Sequence, residues 1–211
     1  MIEKELNIEV LRVPQSVAII RDWFLPEELD LIWSELDVIC SPFVLQKPEQ
    51  TGAARTDDGA GFLKKGHGLF IDHFYENKRE VSHILNIGRR VFSPQIVEAL
   101  TKEDPHFQHI GKCDSDFTLV NYYEQGDEYK MHTDMCVYTA NIVLWREPKK
   151  FDGGKFIIQS GEKEIDFDLR SNDMIIFPGF TRHAVTPMTM HGDATPWRSG
   201  RYSIANFISY K

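Results

Sequence analysis

The sequence predicts an α+β chain that is mainly β, with a C-terminal antiparallel sandwich or barrel supported by N-terminal helices. Three observations predict it. From residue 117 onward, short β-branched and aromatic runs alternate with turn-prone stretches. Two amphipathic segments precede that point. A length of 211 residues, with 42% apolar and 27% charged side chains, suits a single domain with a sizeable core.

The first helix is expected in FLPEELDLIWSELDVI, where Leu29, Ile32, Trp33 and Leu36 recur three or four apart. Pro26 opens it, and Glu27 and Glu28 sit where the helix dipole favours negative charge. NKREVSHILNIGRRVF predicts a second helix, broken near Ser93 and Pro94 and resumed through PQIVEAL. Residues 49 to 68, EQTGAARTDDGAGFLKKGHG, are rich in Gly, Ala and charge, and are expected to form a mobile loop, either a solvated connection or a lid. The expected strands are DFTLVNYY, VYTANIVLW, KFIIQ, KEIDFDL, DMIIFP, HAVTPM and RYSIANFIS, separated by EQGDE, FDGG, SGEK, RSND and PGFT.

Charge and composition exclude several classes. A formal charge of -8 disfavours a nonspecific nucleic-acid binder, which needs a concentrated basic face. The longest apolar runs, such as VAII and MIIF, are far too short to span a bilayer, and MIEKELNIEVLRV lacks the pattern of a secretory signal. Cys40, Cys113 and Cys136 are odd in number and widely spaced, with no C-x-x-C. They argue against a disulfide framework or a thiolate zinc site, so a cytoplasmic protein is expected.

YKMHTDM places His132 and Asp134 two apart, which in an extended strand aims both side chains to one face. With 8 histidines and 32 acidic residues an H-x-D often arises by chance, so its weight comes from a third residue. His183, in FPGFTRHAVTPM, follows a turn and opens a β-rich run 51 positions later. Two imidazoles and a carboxylate fill one face of an octahedral ion and leave three positions open, the ligand set of non-haem Fe(II) oxygenases. Mn(II), Co(II) and Zn(II) accept the same donors, so residue types leave the metal open. A hydrolytic zinc site competes, but no H-E-x-x-H is present. His67, His73, His83, His106, His109 and His191 lack such partners and default to surface or packing. In RYSIANFIS, Arg201 and Ser203 share a face; a guanidinium beside a hydroxyl suits a carboxylate, the plain alternative being an arginine paired with an acid.

Together these stretches resemble the 2-oxoglutarate and Fe(II)-dependent dioxygenases, particularly the prolyl 4-hydroxylase-like branch. NYYEQGDEYKMHTD is similar to that family's Tyr, Gly, Tyr, His, x, Asp run, and DGGKFII to its Gly-Gly strand start. DLRSNDMIIFPGFTRHAVTPM is similar to its turn, apolar strand and distal histidine. RDWFLPEELDLI resembles the opening of its supporting helices, and ARTDDGAGFL its substrate-covering loop. The resemblance implies a double-stranded β-helix (jelly-roll) core at 117–211, with helical support and a substrate-side loop in 1–116, forming one domain. It implies that His132, Asp134 and His183 bind Fe(II), and that Tyr123, Arg201 and Ser203 bind 2-oxoglutarate. It further implies O2 as oxidant, with ascorbate an optional accessory, and hydroxylation of a prolyl residue in a protein or peptide with release of succinate and CO2. Free amino acids or other small molecules, nucleic-acid bases, and a non-catalytic metal-binding jelly-roll are the alternatives. No membrane or nucleic-acid partner is expected. The basic residue in that branch falls about ten after the distal histidine, whereas Arg201 is 18 after His183. A longer hairpin before the last strand accounts for this, and leaves Arg198 as a rival anchor.

Overall fold

The structure is a computed structural model that describes residues 6–13, 15–192 and 197–211. Four α-helices, α1 (Pro26–Ile39), α2 (Ile71–Phe74), α3 (His83–Gly88) and α4 (Pro94–Glu103), precede most of the sheet. The strands among the described residues are β1 (Ile8–Arg12), β2 (Ser16–Ile20), β3 (His67–Phe70), β4 (Ser115–Tyr123), β5 (Tyr129–His132), β6 (Tyr138–Leu144), β7 (Phe151–Gly153), β8 (Phe156–Ser160), β9 (Lys163–Phe167), β10 (Asp173–Pro178), β11 (His183–Val185), β12 (Met188–Met190) and β13 (Arg201–Ser209).

A seven-stranded sheet runs in the order β1-β2-β10-β6-β13-β4-β3, and a four-stranded sheet in the order β5-β11-β8-β9. β12 and β7 form a separate antiparallel pair. Every strand pair among the described residues is antiparallel, and the two larger sheets make a jelly-roll.

Strand alternation divides the large sheet into two chemically distinct faces. Val120, Tyr122, Ala140, Ile142, Ile204 and Ile208 point to the helices and pack with Ile32, Leu36, Ile84, Leu85, Ile96 and Leu100. The intervening residues face the small sheet. At one end these are apolar, with Val17, Ile19, Ile175 and Phe177 packed on Phe156, Ile158 and Phe167. At the other they include Asn121, Asn141, Thr139, Arg201 and Ser203, all buried although polar.

α1 forms as expected, with Pro26 in its first turn and the Glu28 carboxylate accepting from Leu25 N at 2.8 Å. Ile32, Leu36 and Ile39 give it a buried stripe. The expected second helix is instead broken into a 3-10 turn (Arg79–Val81), α3, another 3-10 turn (Arg89–Phe92) and α4. The reason is Ser82, whose extended backbone stops one turn and whose hydroxyl caps the next, accepting from Leu85 N at 3.0 Å. The same hydroxyl donates to the buried Glu35 carboxylate at 2.6 Å, which ties α3 to α1.

The N-terminal half, read as helices and a loop, also supplies β1, β2 and β3, which extend the large sheet on both sides. HAVTPM, read as one strand, is divided into β11 and β12, which pair with different partners. Pro187, between them, brings its carbonyl oxygen 2.0 Å from where a Cβ on Gly153 would stand, so only glycine, here at φ 70°, fits opposite that turn. Residues 49–68, expected as a loop, dock along β5: Lys65 N donates to Glu128 O at 2.8 Å, Lys130 N to Leu63 O at 2.9 Å and Ala54 N to the Tyr129 hydroxyl at 3.1 Å. No helix among the described residues is long and apolar enough to cross a membrane.

Ser82→Ala removes a helix cap and leaves a buried carboxylate oxygen without its donor. It is expected to destabilise the fold by about 1–3 kcal/mol, read by chemical denaturation. A loss within experimental error would show that the cap and the carboxylate contact contribute little.

Candidate active site

His132 ends β5 and His183 opens β11, and the two are direct cross-strand partners. Their rings lie 4.2 Å apart between centroids. Asp134, two residues past His132, is held by its own N–H donating to Gly179 O at 2.8 Å. Glycine is required there, since a Cβ at 179 would stand 2.3 Å from Cys136 O. This brings Asp134 Oδ1 to 3.8 Å from His132 Nε2 and Asp134 Oδ2 to 3.5 Å from His183 Nε2. All three donor atoms lie within 4.8 Å of one another, a separation that one ion can bridge.

Both imidazoles are fixed in the tautomer a metal requires. Nδ1–H of His132 donates to Lys130 O at 2.8 Å, and Nδ1–H of His183 donates to Thr181 O at 2.9 Å, so each Nε2 lone pair faces the common point. Burial, with lesser contributions from His183 and Lys64, pushes the His132 pKa down to about 3, which keeps the ring neutral. Tyr129 stacks on His132 at 3.5 Å and 11°, while Phe177 and Phe156 flank His183 at 4.6 and 5.5 Å. Thr139 Oγ1 donates to Asp134 Oδ2 at 2.6 Å and sets the carboxylate's orientation.

Behind this point a narrow cavity between the sheets is lined by Asn121, Tyr123, Thr139, Asn141 and Ser203. Ser203 Oγ donates to Asn141 Oδ1 at 2.6 Å. Arg201, on the same face of β13 as Ser203, pairs across the sheet with Tyr123. Its guanidinium lies 5.6 Å from the centroid of that ring. Arg201 is 1% exposed, and both terminal nitrogens lack any hydrogen-bond partner among the described residues. Burial lowers its pKa to about 10, so it remains a cation at neutral pH. A buried, unpartnered guanidinium is costly unless an anion joins it. The phenol of Tyr123, also buried, is raised and stays protonated.

Arg198 stands elsewhere. Its side chain is 44% exposed and pairs with Asp37 at 3.4 Å, outside the barrel. The hairpin expected between His183 and Arg201 is partly seen as β12 and the turn from Trp197, where Arg198 N and Gly200 N donate to the Tyr122 hydroxyl at 3.0 and 3.1 Å. Residues 193–196 of that insertion lie outside the described residues.

An outer cleft of about 430 Å³ opens beside Asp134 and Tyr129, walled by Phe70, Phe117, Leu119 and Phe207 and by Thr51 to Ala54 of the docked segment. Thr139, Asn121, Asn141 and Lys64 were not singled out from sequence. The period of two in VYTANIVLW would have put Thr139 and Asn141 on one face, whereas nothing in FLKKGHG marks Lys64. Lys64 is 2% exposed, and burial lowers its pKa to about 7 against a weak opposing pull from Asp127.

With this geometry in place, residues 117–209 match the family model described as the 2OG-Fe(II) oxygenase superfamily. The β-core is thus similar to a 2OG-Fe(II) oxygenase domain over that span. All six residues expected to bind metal or cosubstrate fall inside the matched span, and Lys64 falls outside it. Among curated proteins the chain is similar to a PKHD-type hydroxylase of Herminiimonas arsenicoxydans, 34% identical over 34% of this chain and 37% of that protein. The chain thus spans little more than a third of that relative's length in the match. Among solved structures it is similar in fold to a Pseudomonas putida prolyl-4-hydroxylase (TM-score 0.56, 12% identity, 92% of both chains). It is likewise similar to a Trichoplax adhaerens prolyl hydroxylase in complex with a hypoxia inducible factor peptide fragment (TM-score 0.56, 14% identity, 92% of this chain and 83% of that one). The oxygenase family implies Fe(II), 2-oxoglutarate and O2, and the convergent donors and the lone buried guanidinium fit that set.

Thr139→Val keeps the shape and removes the donor to Asp134. It is expected to weaken Mn(II) binding by about 10- to 100-fold in calorimetry, and an unchanged affinity would remove Thr139 from the site. For Lys64→Met, the expected gain in Tm in chelator is larger at pH 6 than at pH 10. The buried charge opposes folding fully below its folded pKa of about 7, and the cost fades as pH climbs to 10.5. A gain independent of pH would contradict that burial cost.

Proposed function

We propose that this chain is a 2-oxoglutarate- and Fe(II)-dependent dioxygenase that hydroxylates a C–H bond, with a prolyl residue in a protein or peptide as its substrate. The observation that carries the reading is a conjunction. Three neutral or anionic donors converge on one point, and a buried guanidinium whose terminal nitrogens have no partner among the described residues stands beside Tyr123, which lines the adjoining cavity. A structural metal module would need the first feature but has no use for the second.

In this reading His132, Asp134 and His183 hold the metal, with Thr139 and two backbone carbonyls fixing their directions. Arg201 grips the distal carboxylate of 2-oxoglutarate, and the Tyr123 and Ser203 hydroxyls complete its polar surroundings. The bound metal and cosubstrate supply O2 activation, with decarboxylation to succinate and CO2 coupled to substrate oxidation. The chain supplies orientation and dryness: Phe156, Phe177, Val185 and Leu119 wall the inner cavity against water. Substrate enters the outer cleft, where Thr51 to Ala54 give residues 49–68 a covering role. The peptide bound to the similarly folded Trichoplax hydroxylase supports a peptide in that cleft. The single domain, the reducing cytoplasmic setting suggested by three free cysteines, and the optional use of ascorbate belong to the same proposal.

Succinate formation from 2-oxoglutarate in the presence of Fe(II) and O2, including slow turnover without substrate, is the expected outcome. Its complete absence in metal-replete protein would favour a non-catalytic module. His132→Ala and Asp134→Ala are expected to lower Mn(II) affinity by at least about 100-fold. Arg201→Met is expected to weaken 2-oxoglutarate binding by about 100-fold or more, while Arg198→Met leaves it within about twofold. The reverse ranking of the two arginines would move the anchor to Arg198.

A further inference from the structure

Lys64 is the second buried cation of the site, and neither the metal centre nor the cosubstrate pocket uses it. Among the described residues its Nζ makes one hydrogen bond, to Asn121 Oδ1 at 2.6 Å. Among the described residues it forms no ion pair; Asp127, the acid that acts on it through space, spends Oδ2 on Glu124 N at 3.0 Å. An ammonium carries three donors, so two remain to be satisfied in a setting closed to bulk water. The surrounding backbone makes room for it. A Cβ on Gly68 would lie 2.8 Å from Lys64 Nζ and 2.9 Å from Asn121 Oδ1. Lys64 also stands opposite Tyr129 in an isolated bridge, three residues before His132.

The position of the side chain indicates which ligand it serves. Lys64 lines the outer cleft with Tyr129 and Asp134, whereas its partner Asn121 lines the inner cavity that runs to Tyr123 and Ser203. The ammonium therefore stands at the junction, on the substrate side. The remaining cleft wall is largely apolar, through Phe70, Phe117, Leu119 and Phe207. Asp116, an acid of the same wall, is already neutralised by Arg79 at 2.7 Å and Arg89 at 2.6 Å.

We infer that Lys64 is a substrate-binding residue that selects a carboxylate-bearing substrate, the anion docking on its ammonium while an apolar body fills the outer cleft. This rests on the oxygenase reading and narrows its substrate class: a peptide or amino-acid derivative with a free carboxylate near the oxidised carbon binds better than its neutral amide. The same chemistry could be met by a carboxylate of 2-oxoglutarate itself, and the experiment separates the two sources.

Calorimetry on Mn(II)-loaded full-length chain, saturated with N-oxalylglycine, would compare pooled N-acetyl neutral amino acids with the matching amides. The parent chain is expected to bind the acids at least about 10-fold more tightly than the amides, as expected for one charge-assisted contact. Lys64→Met should abolish the preference and Lys64→Arg restore part of it. Both variants should keep the parent's far-UV circular dichroism, Mn(II) affinity and, within about twofold, 2-oxoglutarate affinity. Equal binding of acids and amides, or no binding of either, overturns the assignment. A preference retained in Lys64→Met overturns it too. Loss of 2-oxoglutarate affinity in Lys64→Met assigns the ammonium to the cosubstrate instead. Failure of the parent chain to bind Mn(II) and 2-oxoglutarate would sink the oxygenase reading itself, a result distinct from all of these.

Discussion

The backbone pairing of β5 with β11 is the constraint on which the site depends. It sets His132 opposite His183, so two rings 51 positions apart in sequence become neighbours by register alone. A one-residue slip would turn one imidazole to the opposite face of the small sheet and leave a single histidine beside Asp134. The register is held from both sides. β11 also pairs with β8, and the turn before it is clamped where Asp134 N meets Gly179 O. The same clamp that sets the strand therefore sets the third donor.

Around that constraint the interior is divided by polarity. One face of β4, β6 and β13 closes an apolar core against the helices, where burial of Val120, Ile142, Ile204 and their neighbours drives association. The opposite face carries asparagines, hydroxyls and Arg201 into a closed space. Those groups oppose folding unless they are partnered, and among the described residues both Arg201 and Lys64 of the docked segment are incompletely partnered. The fold tolerates this because the helix-facing core is large. What results is a pair of buried positive charges held in fixed places, Arg201 beside Tyr123 and Lys64 on the outer cleft.

The likeness to prolyl hydroxylase structures lies at 12–14% identity, where the jelly-roll is shared and side-chain detail is not. The interval of 18 between His183 and Arg201 is longer than the resemblance implies, and the turn at Arg198 within it is pinned by Tyr122 and Asp37. Lys64 lies outside the span of the family match. It is on such residues, rather than on the shared jelly-roll, that selectivity among substrates would rest.

The sequence by itself determined the donors and most of the β-core. H-x-D in an extended run, a histidine after a turn, and an arginine opening an alternating strand are local patterns, and backbone geometry turns each into a direction. It also determined α1, whose cap and stripe lie within one segment. Tertiary structure alone decided the rest. β1 and β2 are read correctly only with β10 beside them, because Ile19 and Ala18 gain their faces from that partner. Ser82 breaks a helix because Glu35, 47 positions earlier, receives its hydroxyl. Arg201 is buried while Arg198 is exposed, a difference that no spacing encodes. Lys64 looks like one more surface lysine until Gly68 and Asn121 are folded around it, since desolvation is a property of the neighbours and not of the residue.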